Sequence, residues 1–219
     1  MIQQLSSVTR RSVRAGFTLI ELLAVMLIIG ILMAFLVPQI PAYMDRARVT
    51  ACRANLNEIG KGLMQYQATF DGLPTKSGAA FVCSLITRKV WENTPSNAKR
   101  LSCPNINASA LPGLQGLPPE EWYADADDIG PDHTAYAGRN VKDYPIRKKT
   151  ISGKEVLVAD DNDPEGNHAT ATLALMGDYT VRVYELVELQ DRKIVDEEME
   201  FLIVGPESPV EELQKLSLD

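Results

Sequence analysis

The chain has 219 residues, with 22 Lys and Arg against 29 Asp and Glu and a formal net charge of −7 at pH 7. An acidic balance of this size supplies no global attraction to nucleic acid, whose phosphates demand clustered Lys and Arg, so nucleic acid is not an expected partner. Cys52, Cys83 and Cys103 fit no paired CxxC metal-ligand pattern.

The first 16 residues carry Arg10, Arg11 and Arg14 with no acid, and their removal would take the net charge from −7 to −10. From Phe17 to Val37 the chain carries no charge except Glu21. As a helix that stretch is about 31 Å long, enough to cross a bilayer core of about 30 Å. A carboxylate buried at a helix centre in lipid costs about 2.5–3.5 kcal/mol, so Glu21 calls for a partner. If the chain were cut after Gly16, the new amine of Phe17 would sit one helical turn from Glu21. In an assembly of parallel helices it could lie beside the Glu21 of a neighbour, leaving a neutral pair. An ordinary secretory signal fits less well, because its apolar region is about 7–15 residues and ends at a small-x-small site. Here the run has 21 residues and meets Pro38-Gln39-Ile40-Pro41.

The segment Gly16-FTLIELLAVMLIIGILMAFLV-Pro38 resembles the cleavage and methylation segment of type IV pilins and type II secretion pseudopilins. The resemblance implies a prepilin peptidase that cuts after Gly16 and N-methylates Phe17, with Glu21 required for subunit assembly. It also implies an inner-membrane, single-pass protein with everything after the span in the periplasm. Charge alone orients the span weakly, since Arg46, Arg48 and Arg53 follow it with only Asp45 to offset them.

Beyond the span, Ile40, Tyr43, Ala47, Ala51, Ala54, Ile59, Leu63, Tyr66 and Phe70 recur mostly at three- and four-residue steps. This predicts an amphipathic helix continuing over residues 38–70, with Pro38 and Pro41 bending or melting it at the junction. Asp71-Gly72-Leu73-Pro74 should stop it, with Gly72 as the breaker. Residues 73–132 are rich in Pro and Gly and predict loops, with one short helix near Ala79–Arg88. Trp91 and Trp122 lie there, either as a partner surface or, more simply, packed under a loop. After Gly153, EVLVAD, ATLALM and YTVRVYEL read as strands, the last two joined by a Gly177-Asp178 hairpin turn, and Glu200–Val204 as a further edge strand. The expected fold is α+β: a long N-terminal helix, transmembrane then amphipathic, packed on a small antiparallel sheet. The expected organisation is a leader at 1–16, a transmembrane helix at 17–37, its continuation at 38–70 and a globular head at 71–219. About 180 residues outside the bilayer suffice for one compact domain with its own core.

A second resemblance lies in CRANLNEIGKGLMQYQATFDGLPT, which starts at Cys52 and is similar to the stretch after the membrane helix in a large bacterial family of pseudopilin-like proteins. That family ends in a His, nine residues and Asp-Gly. Here His168 and Asp178 keep the spacing, but Tyr179 stands where the Gly would be, which implies that Gly177-Asp178 makes the turn instead.

Three groups of residues carry possible chemistry. Asp160, Asp161, Asp163 and Glu165, followed by Gly166, imitate the start of a calcium loop, and secretion pseudopilins of the resembling family bind calcium in a C-terminal loop. No glutamate closes the loop, and the plainer reading is a solvated turn between strands. Three cysteines in a compartment that permits disulfides suggest one pair and one leftover thiol, with Cys83–Cys103 preferred because Cys52 should lie on the long helix. His133 and His168 have no GxSxG or HExxH around them and read as surface or turn histidines; no P-loop is present. The acidic stretches DEEMEF and ESPVEELQ read as a solvated face.

The sequence therefore predicts a pseudopilin without enzymatic activity, whose partners are a prepilin peptidase, other pilin-like subunits and the inner membrane. No cofactor other than calcium is expected. A surface pilus subunit and a membrane-anchored periplasmic binding module that never assembles are the alternatives.

Overall fold

A computed structural model describes residues 17–104, 106–146, 151–160, 168 and 170–219. Two compact units divide the chain, one reaching to Tyr43 and the other spanning Met44–Asp219.

In the first unit, helix α1 runs over Leu19–Leu36. Apart from Glu21 its side chains are apolar on every side, and none is buried. A 3₁₀ turn at Val37–Gln39 follows, before helix α2 at Ile40–Phe70. Pro38 has no N–H to give to the α-helical ladder, and the expected local melting is found at that point. The run is long and apolar enough to cross a membrane.

In the second unit, α2 buries Cys52, Leu56, Ile59, Leu63 and Tyr66, at alternating steps of four and three. This face is rotated from the expected stripe: Ala51 and Ala54 are exposed, as is Phe70 at 39%. Asp71, not Gly72, takes the left-handed conformation that ends α2, with φ of 54°. Helix α3 occupies Gly78–Thr87, as expected, and a second short helix, α4, forms at Pro95–Arg100 with Thr94 as its N-cap.

Among the described residues five strands form one antiparallel sheet: β1 Tyr136–Arg139, β2 Val156–Asp160, β3 Ala171–Met176, β4 Val181–Glu185 and β5 Leu216–Ser217. Their spatial order is β4-β3-β2-β1-β5. The expected α+β arrangement is therefore present, with one correction and one feature the sequence did not announce. The edge next to β1 is β5, not Glu200–Val204, which is coil. The sheet is also covered on both faces. Leu157, Val158, Leu173 and Leu175 join α2 and α3 in the larger core. Val156, Ala159, Ala174 and Met176 meet a second core of Leu186, Leu189, Leu202, Val204, Leu213 and Leu216. Leu202 and Val204 are thus apolar because they cap the far face of the sheet without joining its ladder. A register shift between Val156 and Val158 on β2 lets Leu157 and Val158 share the helix-side core.

The β3–β4 hairpin turns at Gly177-Asp178, as expected: the Tyr179 N–H donates to the Met176 carbonyl at 2.9 Å. Tyr179 then takes φ of 64°, the position where a tight hairpin of this kind prefers glycine. Its hydroxyl donates to Gln67 Oε1 on α2 at 2.8 Å, so the residue that departs from the Asp-Gly pattern fastens the hairpin to the helix.

Candidate functional site

At the start of α1, Phe17 is exposed and Thr18 is the N-cap. The Glu21 N–H donates to Thr18 Oγ1 at 3.3 Å. Glu21 Oε2 in turn accepts from the Thr18 N–H at 2.9 Å and from its hydroxyl at 2.8 Å. This is a capping box, which satisfies two of the backbone donors that every helix start leaves open. Glu21 therefore lies at the first turn of the helix, turned back toward the chain segment at residues 17–18. Gly16 and the rest of the expected leader lie outside the described residues.

A second site lies inside the Met44–Asp219 unit. Cys52 comes from the buried face of α2, Asp160 from the end of β2, and Cys103 and His168 from irregular segments. All four are buried, at 0% for the cysteines and Asp160 and 6% for His168. Cys52 Sγ is 3.3 Å from Asp160 Oδ2, which is 3.2 Å from His168 Nε2, which is 3.4 Å from Cys103 Sγ. The ligating atoms of Cys52, Cys103 and His168 all lie within 4.8 Å of one another. Around them, the Leu173 N–H donates to Asp160 Oδ1 at 2.6 Å, and the Tyr136 hydroxyl lies 3.6 Å from Cys52 Sγ. On the other side of the imidazole, His168 Nδ1 faces Asp45 Oδ1 at 3.8 Å, and the Thr170 hydroxyl holds Asp45 Oδ2 at 2.5 Å. Burial works against the imidazolium, but Asp160 and Cys103 beside it outweigh burial and hold His168 up to about 10. The neighbouring Cys103, then burial, push the Cys52 thiol far above its ordinary range.

This arrangement corrects three expectations. The Cys83–Cys103 bridge is not formed: Cys83 is a free, buried thiol on the core side of α3, and the cysteine that faces Cys103 is Cys52. His168 is not a surface histidine, and His133 is buried as well, with Nδ1 accepting from the Gly130 N–H at 3.3 Å. Asp160 is committed inward to Cys52, His168 and Leu173, so it does not face solvent with the expected calcium set. Asp161, Asp163 and Glu165 lie outside the described residues. Of the tryptophans, Trp122 is packed, with its indole N–H donating to the Leu117 carbonyl at 2.9 Å, and Trp91 packs partly buried against the larger core.

The N-terminal geometry has a counterpart among known proteins. Residues 11–37 match the prokaryotic N-terminal methylation motif. The methylation motif covers Gly16, Phe17 and Glu21 and ends where α1 gives way to the 3₁₀ turn. The chain is also similar to the type II secretion system core protein G of Pseudomonas aeruginosa, with 40% identity over 58 residues, which is 26% of this chain and 41% of that protein. The chain thus spans about two fifths of the length of the curated relative it matches. No solved structure matches it.

Proposed function

We propose that the protein is a pseudopilin: a structural subunit of a type II secretion or type IV pilus-like filament, with a mechanical role and no catalysis. A prepilin peptidase cuts it after Gly16 and methylates Phe17. Residues 1–16 are the leader, 17–37 the membrane segment, 38–70 its helical continuation, and 71–219 a head in the periplasm, anchored in the inner membrane until assembly. The observation that carries this reading is the methylation motif at 11–37, with its Glu21 at the first turn of a helix that is apolar on every side.

The capping box gives the mechanism a concrete form. In the single chain the Glu21 carboxylate is held by the Thr18 N–H and hydroxyl. Cleavage creates a cationic amine one residue away, with an ordinary pKa of about 7.7–8.0. In a parallel bundle the carboxylate exchanges its Thr18 bonds for the Phe17 amine of a neighbouring subunit, which neutralises both charges inside the apolar seam.

Replacing Glu21 by Val tests this. Val is cheaper than Glu in lipid, so membrane insertion should be undiminished and processing should survive. Intact-mass analysis of the extracted variant should show a chain that starts at Phe17 and carries one methyl group, and cross-linking should give monomers where the wild type gives ladders. Wild-type ladders from Glu21→Val would remove the carboxylate as an assembly determinant and favour a membrane tether. A wild-type chain that keeps residues 1–16 would refute the processing itself.

A further inference from the structure

We propose that Cys52, Cys103, His168 and Asp160 form a structural zinc site that ties the long helix to the sheet. A tetrahedral zinc ion with ligand bonds of about 2.0–2.3 Å separates its donors from one another by about 3.3–3.8 Å. Three of its six edges, 3.3 Å from Cys52 Sγ to Asp160 Oδ2, 3.2 Å from there to His168 Nε2 and 3.4 Å from there to Cys103 Sγ, fall within a few tenths of an ångström of that figure, and the donors of Cys52, Cys103 and His168 lie within 4.8 Å of one another, so the ion would draw these together and bring Asp160 toward Cys103. Two sulfurs, one imidazole nitrogen and one carboxylate oxygen are the donor types that zinc accepts, and magnesium or calcium would demand oxygens throughout.

The surroundings fit a metal centre as well as the donors do. His168 presents Nε2 to the cluster and turns Nδ1 toward Asp45, itself fixed by Thr170. At 3.8 Å Asp45 is too far to bond Nδ1, which is buried without a hydrogen-bond partner among the described residues, so an ion on Nε2 would supply the fixed orientation that no bond to Nδ1 gives the ring. Two thiolates and one carboxylate around a dication leave a net charge of −1. The Leu173 N–H on Asp160 and the Tyr136 hydroxyl near Cys52 are placed to share it. Binding breaks the two S–H bonds and the Nε2–H bond of His168, forms two sulfur–zinc bonds and one nitrogen–zinc bond, and sends the three protons to solvent, with no change of oxidation state.

Two other readings account for fewer of these observations. A Cys52–Cys103 disulfide would use the two sulfurs, but it gives no reason for a carboxylate and an imidazole to converge on them in a dry core, where burying charge is expensive. A nucleophilic Cys103 activated by His168 needs an accessible sulfur, and Cys103 is fully buried. A closed four-ligand site has no open position for a substrate, which is the signature of a structural ion.

The experiment uses the full chain in detergent, reduced and given one equivalent of zinc before desalting, with bound metal measured by mass spectrometry. About one zinc per chain is expected, and cobalt(II) in its place should give the intense visible absorption of a tetrahedral thiolate site. Cys83→Ala removes a buried cysteine outside the cluster and should retain the metal, whereas Cys52→Ser should lose it. Asp160→Ala removes the carboxylate donor and should weaken binding against a competing chelator. A reduced wild-type chain that retains no zinc overturns the proposal, as does a Cys52–Cys103 disulfide found by peptide mapping of protein isolated without reductant. Calcium bound in place of zinc and unaffected by Cys52→Ser overturns it too.

Discussion

Gly62 lies on the buried face of α2, where a single added methyl group tests how tightly the helix is packed. A Cβ at this position would stand 2.8 Å from Trp91 Cζ2, 2.9 Å from Trp91 Cε2 and 2.9 Å from Leu85 Cδ1. Carbon atoms in ordinary contact lie about 3.5–4.0 Å apart, so the neighbours would have to retreat by about 0.7 Å. They have little room. Leu85 is fully buried, the Trp91 N–H is bonded to the Leu85 carbonyl at 2.7 Å, and the Arg100 guanidinium lies over the Trp91 ring at 5.7 Å. Overpacking of this kind costs about 1–3 kcal/mol. Against it stands the gain of about 0.8–1.0 kcal/mol from replacing glycine by alanine within a helix. Gly62→Ala should therefore lose about 1 kcal/mol, or about 2–4 °C in Tm for a unit of this size. Gly60→Ala is the control: its Cβ would meet Leu175 Cδ1 at 3.1 Å and other atoms only at 3.7 Å or beyond. There the propensity gain offsets the smaller strain, and stability should stay within about 0.5 kcal/mol of wild type. Urea unfolding of the full chain in detergent, followed by tryptophan fluorescence, reports on Trp91 at the contact itself. A Gly62→Ala protein as stable as Gly60→Ala would refute the packing described between α2, α3 and Trp91.

Two further outcomes follow from polar contacts in the same unit. Arg139 is buried, with Nη2 at 2.7 Å from Glu155 Oε2, while Lys215 Nζ lies 3.4 Å from Glu155 Oε1. Glu155→Gln leaves the buried guanidinium without its anion and should cost about 2–4 kcal/mol, less than for a fully enclosed pair because Glu155 is partly exposed. Burial alone would raise the Glu155 carboxyl, but Arg139 and Lys215 outweigh it and hold the group below its usual range. A depressed carboxylate stabilises the fold fully above its unfolded pKa of about 4.3 and loses that contribution as the pH falls through the folded value. The Tm gap between wild type and Glu155→Gln should thus be constant at neutral pH and close on acidification below about pH 4; a gap that widens there would refute the pairing. Tyr179→Phe should cost about 1 kcal/mol by removing the hydroxyl bond to Gln67, and in a double-mutant cycle with Gln67→Ala the two losses should not add. Strict additivity would show that the hairpin is not fastened there.

Periodic features of the chain could be read before folding, and long-range ones could not. The apolar span, the melted step at Pro38, α3 and the β3–β4 hairpin each follow from residues close together in sequence. The same holds for Ile59, Leu63 and Tyr66, which belong both to the expected stripe and to the buried face. The face was displaced upstream of them because alanines at 47, 51 and 54 continue the periodicity as well as Cys52 and Leu56 do, and small side chains cannot say which side is covered. Strand β1, with the sequence YAGR, has no alternation and contains a glycine, while β5 is two residues long. Both exist because neighbouring strands supply their hydrogen bonds. The buried cluster was hidden for a similar reason. Its donors come from positions 52, 103, 160 and 168, so no local spacing announces them, and only the packing of α2 on β2 brings them together.

The two stretches of long helix make opposite demands on their surroundings. In α2, Cys52, Leu56, Ile59, Leu63 and Tyr66 are covered by the head's own core. Between Phe17 and Val37, sixteen large apolar side chains remain 44–81% exposed in the single chain. At about 1.5–3 kcal/mol for each such side chain moved out of water, the span gains roughly 25–50 kcal/mol from any apolar environment. That exceeds the roughly 5–15 kcal/mol that holds a typical domain folded, so the span's position is dictated by lipid or by neighbouring helices. Lipid and a bundle of like helices are nearly equivalent apolar solvents, however, and the hydrophobic term largely cancels when a subunit passes from one to the other. In the proposed filament the choice then falls to smaller, specific terms: side-chain packing along the seam, and the one carboxylate in the span, whose partner is Thr18 in the single chain and the Phe17 amine of the next subunit in the assembly.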